Sequence, residues 1–320
     1  MECCYLIVIP LAAIFVVEIM YLLKKFYFSG GVCKSKARLD GKTVIITGAN
    51  TGIGKETALD LVKRGARVIL ACRDVEKGKR AAQAIQEETK SDQVIVKKLN
   101  LASTESIREF ADEIHSSERR LDVLLNNAGV MACPEMRTED GFEMQLGVNH
   151  LGHFLLTNLL IDLLKKSSPS RIVSVSSLGH TYGKINFDDL NSEKSYSSWG
   201  AYCQSKLANI LFTRELARRL EGTGITANCL HPGAVRTDLS RHSTMVGWFA
   251  EPFGWFIYKN AVEGAQTNIY CAVAEELDGV SGIYFSDCAP KKPSPEALDD
   301  GAAKKLWEVS ARMLKLDKTI

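Results

Sequence analysis

Ser177, Tyr202 and Lys206 are the residues whose types and spacing could carry proton chemistry. Tyr202 and Lys206 stand four apart, so a helix would turn them to one face. A positive charge beside a phenol favours the phenolate, which predicts a Tyr202 pKa drawn down from about 10 toward neutrality. A phenol tuned in that way can give a proton to a reacting oxygen or take one from it. The same spacing is common on solvated helix faces, so the pair gains weight from its place in the chain. It follows a stretch ending Ser174-Val175-Ser176-Ser177 and precedes Pro232-Gly233.

A β-α alternation supplies that place. Val44-Ile45-Ile46 is a β-branched run suited to a strand covered on both faces. A turn follows from Thr47 to Gly54, and Lys55 to Val62 then runs at helical period. Gly48, Gly52 and Gly54 leave no Cβ where phosphates must approach the backbone, and the helix would aim its positive end at them. Asn50, Thr51 and Ile53 complete this cradle. A glycine-rich turn without a ligand is the plainer alternative. Further strands are expected at Val68–Ala71, Val94–Leu99, Val123–Leu125, Arg171–Val175, Ile225–Leu230 and Gly282–Phe285. Helices are expected at Val75–Thr89, Ser103–Ser116, within Gly141–Lys166, and at Gly200–Leu220 and Ala261–Ala274. The alternation predicts one Rossmann-type, doubly wound α/β domain, a mostly parallel seven-stranded sheet with helices on both faces. Ligands of such sheets sit at the carboxyl ends of the strands.

The loops there are informative. Where a cofactor with a free 2′-hydroxyl usually meets an acid, this chain has Cys72-Arg73. A guanidinium binds a 2′-phosphate in a forked, charge-assisted way, which favours NADP over NAD. An ordinary surface arginine is the alternative. Asn100-Leu101 could hold an adenine edge, and the small residues of Asn126-Asn127-Ala128-Gly129 would let backbone approach a ribose while the amides tie neighbouring strands. A simple turn is the alternative there too. His150, His153 and His231 offer no metal-ligand spacing and read as structural. Asp238 to Tyr258 is rich in aromatics, with Trp248, Phe249, Phe253, Trp255 and Phe256. It is expected to be a lid over an apolar substrate, with Trp248 and Phe249 in contact, or a membrane contact; plain packing on the core is the third reading.

The charges nearly cancel, 40 Lys+Arg against 38 Asp+Glu, which gives no reason to expect nucleic acid. Nine scattered Cys without a CxxC pair suit reduced thiols facing the cytosol better than a disulfide framework. Tyr5 to Leu23 is apolar apart from Glu18, about the roughly 20 residues that span a bilayer, and Lys24-Lys25 follow at once. Residues 1–25 are therefore expected to be a membrane anchor with the rest of the chain in the cytosol; an interfacial helix and a cleaved signal peptide are the rivals. Residues 26–40 read as a linker and 41–320 as the folded domain. The basic charges at Lys34, Lys36 and Arg38 suit either a solvated linker or a position against anionic headgroups.

Taken together, Thr47-Gly48-x-x-x-Gly52-x-Gly54, Asn126-Asn127-Ala128-Gly129, Asn149, Ser177, Tyr202-x-x-x-Lys206 and Pro232-Gly233 resemble the short-chain dehydrogenase/reductase family over residues 40 to 290. Asn100 departs from it, standing where the family usually has Asp. Leu70-Ala-Cys-Arg-Asp74, Gly147-Val-Asn-His-Leu-Gly-His-Phe154 and Tyr202-Cys-Gln-Ser-Lys-Leu-Ala-Asn209 are similar to the membrane-anchored retinol dehydrogenases within it. That resemblance implies NADPH-dependent reduction of retinal, and of other lipid aldehydes, at the endoplasmic reticulum membrane, with a mitochondrial membrane as the alternative and a homodimer allowed. It implies that Tyr202 protonates the carbonyl oxygen, Ser177 holds it, Lys206 binds the ribose, Asn149 supports a water relay, and Thr237 bonds the carboxamide. An NADP-linked hydroxysteroid or general carbonyl reductase is the rival enzyme. A non-catalytic NADP-binding membrane protein is the rival of another class.

Overall fold

The computed structural model describes residues 17–22, 24, 29–236, 258–317 and 319–320. At its centre is β1 (Thr43–Thr47), all five residues of which are buried. Val44 and Ile46 point into one apolar layer and Ile45 into the other, the period of two that a strand imposes. The chain continues through α1 (Gly52–Lys63), β2 (Arg67–Cys72), α2 (Val75–Thr89), β3 (Val94–Lys98), α3 (Thr104–Ser117) and β4 (Val123–Asn126). The second half holds α4 (Gly152–Lys166), β5 (Ser170–Val175), α5 (Ser198–Arg219), β6 (Ile225–His231), α6 (Ala261–Val273), β7 (Tyr284–Ser286), β8 (Ala289–Pro290) and α7 (Asp300–Met313). The strand order is β3-β2-β1-β4-β5-β6-β7-β8. Helices α1, α2 and α6 cover one face, and α3, α4, α5 and α7 the other. The order reverses between β1 and β4, and that point opens a crevice at the strands' carboxyl ends.

The first seven strands are parallel, as the alternation predicts, but an eighth is added antiparallel to β7. A strand of two residues shows no periodicity, so it carries no sequence signal. The single long helix expected within Gly141–Lys166 is instead broken. A helical turn (Met144–Leu146) leads into a π turn (Gly147–Leu151), and only then does α4 begin. Gly152 marks the reason: a Cβ there would lie 2.7 Å from the Leu101 carbonyl oxygen, so the wide turn passes directly against the loop after β3.

Residues 29–40, within the expected linker, lie against the domain. From Gly31 to Asp40 exposure alternates residue by residue, with Cys33, Ala37 and Leu39 turned toward the apolar layer of α1 and α6. Ser29 Oγ donates to Glu263 at 2.8 Å, the Cys33 N–H donates to Gln266 at 3.1 Å, and Arg64 donates to the Ser35 and Ala37 carbonyls at 3.0 and 3.1 Å. The segment is an extended strap docked on the domain, with backbone groups of its inward-facing residues Cys33, Ser35, Ala37 and Leu39 paired. Of the expected 1–25 anchor, residues 17–22 are helical with Val17, Ile19, Tyr21 and Leu22 exposed, and most of the rest lies outside the described residues. Among the described residues no helix is long and apolar enough to cross a membrane.

Helix α7 closes the larger layer with Trp307, 2% exposed, 4.7 Å from the Phe154 ring and stacked on Phe212 at 5.8 Å. The Arg219 guanidinium caps the indole at 4.5 Å. Trp307→Ala should cost about 3–5 kcal/mol through lost burial and the cavity left behind. Denaturant unfolding checks this, and a loss under about 1 kcal/mol would show that α7 is peripheral to the core.

Candidate active site

The crevice is organised by the Thr47 hydroxyl at the end of β1. It accepts the N–H groups of Asn127 and Ala128, each at 2.9 Å. It also lies 2.9 Å from His153 Nε2. His153 Nδ1 faces the Asn149 carbonyl at 3.0 Å, which can only accept, so Nδ1 carries the proton and Thr47 donates to Nε2. Asn127 Nδ2 donates back to the Thr47 carbonyl at 2.8 Å, and its Oδ1 accepts from Asn268 at 3.2 Å. The Asn127 carboxamide is thus committed to tying β1, β4 and α6 together. What Asn127, Ala128 and Gly129 leave toward a ligand is backbone.

The glycine turn is shaped by close approach. Gly48 has φ +65, and a Cβ on it would meet the Ala128 Cα at 2.9 Å. A Cβ on Gly54 would come within 2.6 Å of the Gly48 carbonyl. Thr51, in extended backbone, precedes α1, whose first turn carries no acidic side chain to offset its positive end. Asn50, Thr51, Gly52 and Ile53 line the turn short of full burial. Arg73 is exposed just past β2 and forms no ion pair among the described residues. A half-positive helix end and a free guanidinium suit the phosphates of a dinucleotide. Asn100 donates to Glu139 at 2.8 Å, and its side-chain carbonyl accepts from Ala102 at 3.2 Å, leaving one lone pair for a ligand. Leu101 is buried in the core beside it.

Across the crevice, β5 and α5 bring Ser177, Tyr202 and Lys206 together. Ser177 caps a short 3-10 turn (Leu178–Tyr182), and its Oγ accepts from Gly179 at 3.1 Å and faces the Tyr202 phenol. Tyr202 is 3% exposed and wedged in: a Cβ on Gly179 would sit 3.1 Å from its Cε1. The Lys206 ammonium donates to the Val175 carbonyl at 3.2 Å and stands 5.8 Å from the centre of the Tyr202 ring. A Cβ on Gly129 would be 3.4 Å from that nitrogen and 3.2 Å from Asn149 Oδ1. Asn149 itself sits on the π turn. Its carboxamide accepts from Val130 N–H at 2.8 Å and donates to the Val130 carbonyl and to Ser205 Oγ, both at 2.9 Å.

The phenol's pKa is shifted in the direction opposite to the one expected. Burial pushes Tyr202 up to about 12, with the Ser177 hydrogen bond pulling only partly against it. Burial likewise brings Lys206 down to about 8. Desolvation penalises both charged forms, and the ammonium stands 5.8 Å from the centre of the Tyr202 ring. The result is a phenol that stays protonated at neutral pH, a proton donor beside a hydroxyl and an ammonium.

Several residues that hold this set were missed in the sequence. Ser176 Oγ donates to the Lys206 carbonyl at 2.7 Å, Asn209 donates to the Val175 carbonyl at 3.1 Å, and Ser205 Oγ donates to the Tyr202 carbonyl at 2.7 Å. Asn209 was legible, being three residues past Lys206 on the same helical face. Pro232 and Gly233 follow β6, and Gly233 at φ +97 has the Lys259 side chain against it. Thr237, Trp248 and Phe249 lie outside the described residues. The histidines are structural. Besides His153, His150 Nε2 pairs with Ser310 Oγ at 2.9 Å, and His231 Nδ1 accepts from Gly233 at 3.3 Å.

The family model for short chain dehydrogenase matches residues 42–245. The chain is 55% identical to human retinol dehydrogenase 13, covering 97% of this chain and 95% of that one. It is 57% identical to human retinol dehydrogenase 12, covering 90% and 91%. Among solved structures, an uncharacterized protein from Mycobacterium paratuberculosis superimposes with TM-score 0.73 at 40% identity, covering 89% of this chain and 98% of that one. A short chain dehydrogenase from Escherichia coli CFT073 complexed with NADPH gives TM-score 0.64 at 26% identity, covering 79% and 99%.

Buried His150 and His153 and half-buried His231 set a pH dependence. Burial lowers His150 to about 3, and His153 and His231 to about 4, from 6.5. Below pH 6.5 the unfolded chain takes up protons that the folded chain refuses, so stability is full above that pH and falls as the pH drops toward 4. Each histidine contributes a slope of up to about 1.4 kcal/mol per pH unit within that window. The unfolding midpoint should therefore decline steadily between pH 6.5 and 4.5, and a level midpoint would contradict the buried neutral assignment.

Proposed function

The chain belongs to the short chain dehydrogenase family and is an oxidoreductase acting on CH–OH donors; on that footing we propose that it interconverts retinal and retinol, working as an NADPH-dependent retinal reductase that also accepts other lipid aldehydes. The observation that carries this reading is the convergence of Ser177, Tyr202 and Lys206 opposite the glycine turn, in a chain 52–57% identical to proteins named retinol dehydrogenase 11, 12, 13 and 14.

The turn from Gly48 to Gly54 would hold the pyrophosphate, Arg73 the 2′-phosphate, and Asn100 with Leu101 the adenine. The backbone of Asn127, Ala128 and Gly129 would face a ribose, and Pro232, Gly233 and Thr237 the nicotinamide end. Bound there, NADPH supplies the hydride that reduces the carbonyl carbon. The chain's own part is to orient the substrate and move the proton. Ser177 holds the carbonyl oxygen by a hydrogen bond. Tyr202, kept neutral by burial, gives that oxygen its phenolic proton. Lys206 steadies the phenolate that results and binds the ribose hydroxyls. Asn149 supports a water relay that returns the proton through Lys206, with its carboxamide bonds to Val130 and Ser205 holding the π turn in place. Trp248 and Phe249, aromatic in type, would meet the apolar end of the substrate. The apolar run from Tyr5 to Leu23 followed by Lys24-Lys25 supports anchoring in the endoplasmic reticulum membrane with the domain in the cytosol.

Membranes carrying the protein should oxidise NADPH with all-trans-retinal, less well with a medium-chain aldehyde, and poorly with a ketosteroid. Preference for the ketosteroid would replace the retinoid reading, and no turnover of any would favour a binding protein. The pH profile is a second check. The falling limb of kcat/KM for reduction should lie near pH 8, where Lys206 loses its charge. Lys206→Arg should move that limb upward, and a wild-type profile level from about pH 7 to 9 would remove the ammonium from the mechanism.

A further inference from the structure

One ion pair joins the residue just before α6 to the turn between β7 and β8, beside both the strap and the loop after β6. Lys259, its side chain 7% exposed, donates from Nζ to Asp287 Oδ1 at 2.5 Å. Its side chain lies against Gly233, where a Cβ would be 2.7 Å from Lys259 Cδ and 3.0 Å from Nζ. Its backbone clasps the same loop: the Lys259 N–H donates to Ala234 at 2.8 Å, and the Arg236 N–H donates to Lys259 at 3.0 Å. Asp287 is presented by the two-residue turn between β7 and β8. Both turn residues, Asp287 and Cys288, are left-handed, with φ +55 and +56. Such backbone is unfavourable for a non-glycine residue, and it is kept here where Asp287 faces Lys259. The Ser286 hydroxyl donates to the second carboxylate oxygen at 2.8 Å. The strap closes the other side. A Cβ on Gly30 would fall 2.2 Å from Lys259 Nζ and 2.3 Å from Asp287 Oδ1, and one on Gly31 would fall 1.9 Å from the Asp287 carbonyl oxygen. Only glycine lets the strap pass.

We propose that Lys259 is a positioning residue for the Pro232-Gly233 loop, held in place by Asp287 and by the Gly30-Gly31 segment of the strap, so that the N-terminal segment helps to set cofactor affinity. The inference rests on reading that loop as a wall of the NADP site. It connects two features with separate sequence signals, the diglycine before the domain and the Pro-Gly after β6. The chain entering the domain from the N-terminus thereby becomes a structural element of the cofactor pocket.

The test uses the full-length protein and follows NADPH binding, kcat, KM and the unfolding midpoint. Lys259→Met keeps the aliphatic stem and removes the charge, and Gly31→Ala displaces the strap without touching Lys259. Each should raise the NADPH Kd and KM about tenfold while kcat at saturating NADPH changes less than about twofold. Val32→Ser, on the exposed side of the strap, should change neither. A folded Lys259→Met and a folded Gly31→Ala that bind NADPH as the wild type does would overturn the proposal, as would a kcat loss at unchanged KM. If Lys259→Met does not fold, Gly31→Ala decides alone by the same criteria. Wild-type protein that binds no NADPH would instead overturn the cofactor reading beneath it, a distinct outcome.

Discussion

The architecture of the site depends on a single hydroxyl. Thr47 lies fully buried where β1 ends and the strand order reverses, and its oxygen gathers two backbone N–H groups from the turn after β4. Without it the Asn127 N–H would keep only the Leu125 carbonyl at 3.0 Å, and the Ala128 N–H would lose its acceptor, at a cost of about 1–3 kcal/mol. Through His153 the same hydroxyl reaches the Asn149 carbonyl, and Asn149 reaches Ser205 beside Lys206. A continuous run of hydrogen bonds thus spans from the glycine turn to the helix that carries Tyr202. In a dry interior such a run is strong when complete and costly when one member is missing. It fixes the distance across the crevice by bonds within the protein.

Burial then decides the chemistry. A solvated Tyr-Lys pair would lean toward phenolate and ammonium. At 3% exposure each, both groups are pushed toward their neutral forms. That bias suits a group that must donate a proton to a carbonyl oxygen as negative charge develops there. It also accounts for the lattice of side chains behind Lys206. Ser176 and Asn209 fix its backbone and the Val175 carbonyl that its ammonium touches, holding an amine that solvent no longer positions.

Much of this was legible in the sequence because it follows from local rules. Val44 to Ile46, the glycine turn and the four-residue step from Tyr202 to Lys206 each carry their structural meaning in type and spacing. What failed did so for definable reasons. The Tyr202 pKa depends on depth in the core, which spacing does not encode. The break at Gly147–Leu151 arises from contact with Thr138 and Leu101, distant in the chain. The strap was readable and was passed over: Cys33, Ser35, Ala37 and Leu39 alternate with Lys34, Lys36, Arg38 and Asp40, the pattern of an extended segment with one buried face. Its basic residues, which suit either a solvated linker or a place against anionic headgroups, mark its outer side. Lys259 gave no local signal, because its partners Gly30, Gly233 and Asp287 come from three separate parts of the chain.

The central claim is that Tyr202 supplies the proton from a site assembled independently of it. The most direct measurement compares NADPH binding and retinal turnover in Tyr202→Phe, which keeps the ring and removes only the hydroxyl. The account predicts NADPH binding within about twofold of wild type and a kcat reduced by about 10² to 10⁴. A folded variant that binds NADPH and reduces retinal at the wild-type rate would contradict it.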